Sequence, residues 1–284
     1  MSDQTSPIAF LGHAYGSTTY DSDRRKYVVI YTNISYVNAV IKQRQQWLGV
    51  PREKWGRIYS NGKLNSSAKH PLFWDVAAGK WERRFVTAPG GFDHKREDGV
   101  AQYIPSLKKT LFAIRDQVWL YDYRTNTWSG SAKTGCPIKG YENGCYDPKR
   151  KRLYIAREKN FAYYDIPAKR WTLVKAAGQP ETFYSTNGVC LTYDTAADVV
   201  LYHYRKPHGT IAAYEPDANR WVRPAKGTFP TKKIRSLRYM LLNSFYHPEL
   251  NVHFYYLAGD SRNKPTTMLA YRYKRAKAAA PSAR

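Results

Sequence analysis

A chain of 284 residues, 43% hydrophobic and 15% aromatic, can bury a substantial core, and 25 Tyr against 3 Met favour strands over helices, because rings fit a half-buried pleated surface. With 46 Lys+Arg against 22 Asp+Glu the formal charge is +24, which points to an anionic partner: nucleic acid, acidic protein, acidic glycan or lipid headgroup. Cys136, Cys145 and Cys190 are odd in number with no CxxC spacing, arguing against a disulfide framework or a zinc site, and no apolar run is long enough to span a bilayer.

Residues 1–10 carry no basic start followed by a long apolar run. A cytoplasmic protein is therefore expected, or a secreted one if the chain is a processed fragment. The first hairpin is marked by Tyr20-Asp21 ahead of an alternating apolar run at 27–31. An insertion follows at 36–70, with Lys42, Arg44, Arg52, Lys54, Arg57, Lys63 and Lys69 against Glu53 alone. Within it Val37, Val40, Ile41, Trp47 and Leu48 recur at helical spacing behind Ser35, predicting a short amphipathic helix.

Trp74-Asp75 leading to Trp81 is the first copy of an aromatic, an acid, five residues and a Trp. The pattern returns as Tyr121-Asp122 to Trp128, Tyr164-Asp165 to Trp171 and Tyr214-Glu215 to Trp221. Each copy reads as strand, tight turn, strand, with Gly79, Asn126 and Asn219 placed two residues before the Trp, where a left-handed backbone costs little. Lys169 fills that place in the third copy and fits less comfortably. The acid is expected to accept hydrogen bonds from turn amides.

A second pattern, a Tyr and a polar turn before an alternating strand, appears at Tyr20, Tyr103, Tyr146, Tyr193 and Tyr246. Two hairpins per unit make a four-stranded sheet, and Trp-to-Trp intervals of 47, 43 and 50 residues match the period of a propeller blade. The expected fold is all-β, a β-propeller of about five four-stranded blades in one domain over 1–277, with a tail at 278–284. The last unit ends near Tyr273 without a Trp, so residues 7–10 are expected to supply its missing strand.

On these motifs, and over nearly the whole chain, the sequence resembles the kelch repeat family, which includes the propeller domain of galactose oxidase. The resemblance implies that loops joining second to third strands share one face with the loops joining blades. It departs at the paired Gly after the second strand, where this chain reads Thr32-Asn33, Arg115-Asp116, Arg157-Glu158 and Arg205-Lys206. No copper-ligand set of the oxidase maps onto these residues, so its activity is not implied.

Function in such a scaffold is expected on its long connections. The connection at 222–242 carries Arg223, Lys226, Lys232, Lys233, Arg235 and Arg238 with no acid, and it and the 36–70 insertion each net +6. If the ring closes, the two meet on one face, where Arg and Lys hold phosphate, sulfate or carboxylate groups. The candidate binding residues are Arg44, Arg52, Lys54, Arg57, Arg157, Lys159, Arg205, Lys206, His208, Lys232, Lys233, Arg235, Arg238 and Arg262. No catalytic residue, metal or cofactor is expected, and His203, His247 and His253 read as structural. The preferred reading is a non-enzymatic module binding a nucleic acid or acidic protein, ahead of an acidic glycan. Two alternatives stand: an acidic-polysaccharide lyase using Tyr, with His208 or His94 beside Lys and Arg, and an architectural subunit of a large assembly.

Overall fold

The computed structural model describes residues 16–30, 59–60, 63–64, 71–84, 86, 89–92, 99–140, 144–183, 191–203, 211–224, 242–257 and 267–275. Among them the chain is all-β, with one 3-10 turn at Pro105–Leu107, and its five successive antiparallel sheets are blades of β-propeller type. Two compact units, Met1–Gly140 and Tyr141–Arg284, hold these sheets.

In the first unit, the first sheet runs β1(Thr18–Asp21), β2(Lys26–Val29), β5(Leu72–Asp75), β6(Lys80–Arg83) in spatial order, with the small hairpin β3(Tyr59–Ser60), β4(Lys63–Leu64) between β2 and β5 in sequence. The second sheet is β7(Val100–Ile104), β8(Lys109–Ile114), β9(Gln117–Asp122), β10(Thr127–Ser131), again in chain order. The edge of β7 is tied to the first sheet: Ala101 N donates to Gly16 O at 2.7 Å and Tyr103 N to Thr19 Oγ1 at 3.0 Å. Burial follows strand position. The apolar run of β8 is buried on both faces because its sheet is covered on both sides there, whereas the Ser- and Gly-containing β10 is largely exposed. Val28 and Phe73 of the first sheet pack with Phe112, Ile114, Trp119 and Tyr121 of the second, and Phe92 from the connection stacks on Trp119 at 5.4 Å.

The second unit holds three sheets. They are β11(Gly144–Asp147), β12(Arg152–Arg157), β13(Asn160–Asp165), β14(Arg170–Leu173), then β15(Leu191–Asp194), β16(Val199–His203), β17(Ile211–Glu215), β18(Arg220–Val222), and finally β19(Leu242–His247), β20(Val252–Leu257), β21(Thr267–Tyr271). Tyr154 and Phe161 of the third sheet pack with Tyr202, Tyr214 and Trp221 of the fourth, the ring of Phe161 lying 5.0 Å from both Tyr214 and Trp221. The last sheet has three described strands. Residues 7–10, expected to complete it, lie outside the described residues, as does the helix expected near Trp47.

The repeat acquires its physical meaning in the turns. Five residues after each leading aromatic the backbone is left-handed, at Gly79, Asn126, Lys169 and Asn219 with φ of 61°, 56°, 52° and 46°. The other hairpins obey the same spacing, at Arg25, Lys108, Lys151, Asp198 and Asn251, with φ between 50° and 57°. Where that residue is Asn or Asp, a Tyr hydroxyl at its head seals the turn: Tyr121 donates to Asn126 Oδ1 at 2.7 Å, Tyr214 to Asn219 at 3.0 Å and Tyr246 to Asn251 at 3.0 Å. The acid beside the aromatic accepts turn amides, as Asp75 Oδ1 does from Ala77 and Ala78 at 3.1 and 2.9 Å, and Asp165 Oδ1 from Ala168 at 2.9 Å. Glu215 instead pairs with Arg220 Nε at 2.8 Å and Arg275 Nη2 at 3.0 Å.

Candidate basic interface

Most carboxylates of the described residues lie in or beside the hairpin turns that join first to second and third to fourth strands, with Asp116, Glu158 and Glu181 elsewhere. In the first unit Lys26 Nζ lies 3.0 Å from Glu82 Oε2 and 3.2 Å from Asp75 Oδ2, and Arg84 Nη1 lies 2.8 Å from Glu82 Oε1. The Tyr123 hydroxyl donates to Glu82 Oε2 at 2.6 Å, and the Arg84 guanidinium sits 4.5 Å over the Tyr123 ring. Burial alone would raise the Glu82 carboxyl, but the Tyr123 hydroxyl, Lys26 and Arg84 outweigh it and hold the group below its usual range.

The second unit repeats this arrangement with different residues. Arg150 Nη1 donates to Asp147 Oδ2 at 2.9 Å and to Asp198 Oδ1 at 2.6 Å, and its Nη2 lies 2.6 Å from Asp217 Oδ1. Lys149 Nζ lies 2.5 Å from Asp198 Oδ2, and the Tyr193 hydroxyl donates to Asp198 Oδ1 at 2.5 Å. Hydrogen bonds from Arg150, then from Lys149 and Tyr193, overcome burial and hold the Asp198 carboxyl far below the ordinary carboxylate range. Lys26, Arg84, Lys149 and Arg150 are thus neutralised at short range by the chain's own acids.

The turns between second and third strands stand at the opposite end of each sheet. Arg157 and Lys159 flank Glu158 there, between β12 and β13. Glu158 has φ of 54°, and its backbone exchanges two hydrogen bonds with Phe183, whose fully buried ring lies 4.9 Å from Tyr202 and 5.5 Å from Trp221. Arg157 Nε is 3.6 Å from Glu158 Oε1, and the Lys159 carbonyl accepts from Gln179 Nε2 at 2.9 Å. The backbone carrying both cations is therefore pinned to the connection that leads to the next sheet.

The corresponding turn of the second sheet, after β8, is held in the same way. Asp116 Oδ1 accepts from Thr134 N at 3.0 Å and Cys136 N at 2.7 Å, and Gln117 Nε2 donates to Gly91 O at 2.6 Å. Arg115 has φ of 53°. Left-handed backbone at Arg115 and Glu158 falls within the dipeptides where the kelch pattern carries its paired Gly, so the geometry is kept there by residues with side chains.

Of the candidate binding residues, Arg157 and Lys159 are within the described set. Arg44, Arg52, Lys54, Arg57, Arg205, Lys206, His208, Lys232, Lys233, Arg235, Arg238 and Arg262 lie outside it, and so does the expected meeting of 36–70 with 222–242. The strands that flank 204–210 are β16 and β17, and those that flank 258–266 are β20 and β21. Each segment thus joins a second strand to a third, as Arg157 to Lys159 do in their own sheet.

His247, His203 and His253 belong to the sheets; the last two are fully buried. Sequence reasoning did not pair His253 with Asp194, 3.1 Å apart across two sheets, since no local signal links residues 59 apart. Burial pushes the Cys145 thiol well above its usual range. Among the described residues no group of three or more His, Cys, Asp or Glu is arranged to hold a metal ion, and no helix is long and apolar enough to cross a membrane.

The chain matches no protein-family model and no curated protein. Among solved structures it is similar to a structural genomics protein of unknown function from Bacteroides thetaiotaomicron, at 14% identity and a TM-score of 0.42 over 56% of this chain and 38% of that one. It is also similar to hydrazine synthase of Kuenenia stuttgartiensis, at 13% identity and a TM-score of 0.37 over 57% of this chain and 42% of that one. This chain therefore spans less than half the length of either.

Proposed function

We propose that this chain is a non-enzymatic, kelch-like interaction module that docks a strongly basic surface onto an anionic macromolecule, a nucleic acid or an acidic protein. The observation that carries the reading is the partition of acid. Carboxylates such as Glu82, Asp147 and Asp198 are paired with Lys26, Arg84, Lys149 and Arg150 beside the hairpin turns, while the insertion at 36–70 and the connection at 222–242 are almost free of acid. Half of the +24 charge comes from those two segments. Cations without nearby acid exert a field on a partner that internally paired cations do not.

Electrostatic docking of this kind is salt-sensitive. Affinity for a single-stranded RNA oligomer, measured by fluorescence anisotropy, falls linearly on logarithmic axes as salt rises. Charge reversal of Lys232, Lys233, Arg235 and Arg238 together removes that binding and leaves the circular dichroism spectrum and melting temperature unchanged. If affinity is unaltered in that variant, the basic surface is not the docking site. Binding to an acidic protein captured at low salt, with no RNA affinity, would select the second class of partner.

A further inference from the structure

The first sheet carries a row of four rings. Tyr20 on β1 lies opposite Tyr27 on β2, Tyr27 opposite Trp74 on β5, and Trp74 opposite Trp81 on β6. Directly opposed residues of an antiparallel sheet share a face, so the rings cross all four strands at intervals of about 4.8 Å and span roughly 14 Å. Tyr20 is 48% exposed and Tyr27 36%, Trp74 and Trp81 are half-buried, and the two indoles lie 5.4 Å apart. The other face of this sheet, with Val28 and Phe73, is the one that packs on the second sheet.

In the later sheets the same row is core. Its second-strand place holds Thr110, Leu153, Val200 and His253, all buried, and Tyr121, Tyr164 and Tyr214 beside the first three are buried too. Among the described sheets the first alone has Tyr at that place and Trp on the third strand. A bare sheet face does not account for the exposure, because Val29 and Leu72, the next opposed pair on the face of Tyr27 and Trp74, are fully buried. The face is covered up to the row and open at it, where the hairpin turns begin. Tyr and Trp suit such a rim, since each joins a large apolar ring to a polar group that stays wet.

The charges left over beside the row are of one sign. Asp21 takes Arg24, Asp75 and Glu82 take Lys26, and Asp23 lies beside Tyr103 of the second sheet. Arg25, two residues before Tyr27, and Lys80, directly before Trp81, are exposed and form no ion pair among the described residues. Exposed rings at strand spacing are thus flanked by cations that no acid answers.

We propose that Tyr20, Tyr27, Trp74 and Trp81 form a stacking shelf for a single-stranded nucleic acid, with bases on the rings and phosphates toward Arg25 and Lys80. The shelf rests on the docking reading above and selects the nucleic acid from its two classes of partner. Every base has a π-face, so a run of rings holds a strand without reading its sequence, and roughly 14 Å accommodates two or three bases. A duplex has its bases already stacked on one another and offers none to the rings. An acidic peptide answers the cations and leaves the rings without partners.

Fluorescence anisotropy of the full chain with single-stranded oligoadenylate, and with an abasic strand of the same length that keeps every phosphate, tests this. The unaltered chain binds oligoadenylate on the order of tenfold more tightly than the abasic strand. Tyr20→Ala with Tyr27→Ala abolishes that preference and keeps the salt slope, since no cation is removed, whereas Tyr20→Phe with Tyr27→Phe retains both. Melting followed by circular dichroism checks that the variants fold. Equal affinity for the two strands in the unaltered chain overturns the shelf whatever the variants do, and so does a folded alanine variant with its preference intact. Affinity for an acidic polysaccharide that the alanine variant loses, with none for oligoadenylate, assigns the rings to sugar and overturns it as well. Salt-sensitive binding without a base preference removes the shelf and leaves the docking surface, whereas no affinity for either strand removes the nucleic acid as a partner and the shelf with it.

Discussion

Arg150 forms a two-pronged bond with Asp198, Nη1 to Oδ1 at 2.6 Å and Nη2 to Oδ2 at 2.8 Å, joining the first hairpin of the third sheet to the first hairpin of the fourth. The same guanidinium closes its own turn through Asp147, so one side chain serves both local and inter-sheet order. Planar, bidentate geometry of this kind is available to arginine and not to lysine.

Arg150→Gln is expected to cost about 2–3 kcal/mol, since charged hydrogen bonds are lost and Asp147 keeps no guanidinium partner. Urea denaturation followed by circular dichroism measures this. Arg150→Lys recovers less than half of the loss, because a point charge cannot serve both carboxylate oxygens.

The same contact sets an acid limit. The Asp198 carboxyl is depressed by Arg150, so its contribution is complete above the ordinary carboxylate pKa of about 4 and is lost as pH falls through the lower folded value. Stability of the unaltered chain therefore declines below about pH 4, and the slope is shallower in Asp198→Asn. Melting temperatures between about pH 2 and pH 5 show the difference.

Phe183→Ala removes a fully buried ring that touches Phe161, Tyr202 and Trp221, and a loss of about 3–5 kcal/mol follows from the cavity it leaves. The two backbone bonds between residues 158 and 183 remain, but the ring that holds that segment against the core is gone. Limited proteolysis is expected to cut the connection at 174–183 in the variant before any site in β11–β13.

Lys169 sits at φ of 52° in an exposed turn. Lys169→Gly is expected to stabilise the chain by about 0.5–1 kcal/mol, and Lys169→Val to destabilise it by about 1–2 kcal/mol, because a β-branched side chain tolerates left-handed backbone poorly. Paired thermal melts check both signs. Gly130 marks the opposite case, since a Cβ there would lie 2.2 Å from Val118 O at φ of 146°, and Gly130→Ala should unfold the outer edge of its sheet.

Charge reversal at Arg157 and Lys159 gives a graded version of the binding test. Arg157→Glu with Lys159→Glu should weaken RNA affinity and reduce the salt slope by about 1 for each phosphate contact removed. An unchanged slope places the anion elsewhere on the chain.

Much of the fold was legible because its rules are local. The spacing from Tyr121 to Asn126 or Tyr214 to Asn219 sets a left-handed residue where a turn needs one, and the alternation beside it makes strands, so sheets and their number follow from neighbours a few residues apart. Even the fifth-residue rule of the other hairpins, visible at Tyr193 and Asp198, is written in the chain, though Lys108 and Lys151 hide it by filling the position with residues that do not advertise it. The contacts of Arg150 with Asp198 and Asp217, of His253 with Asp194 and of Phe183 with Glu158 were decided by tertiary structure. They join groups 25 to 67 residues apart, and no periodicity spans such gaps: which cation meets which carboxylate depends on how sheets twist and pack. Composition determines that the chain carries excess positive charge, while packing determines which of those charges are already answered from within.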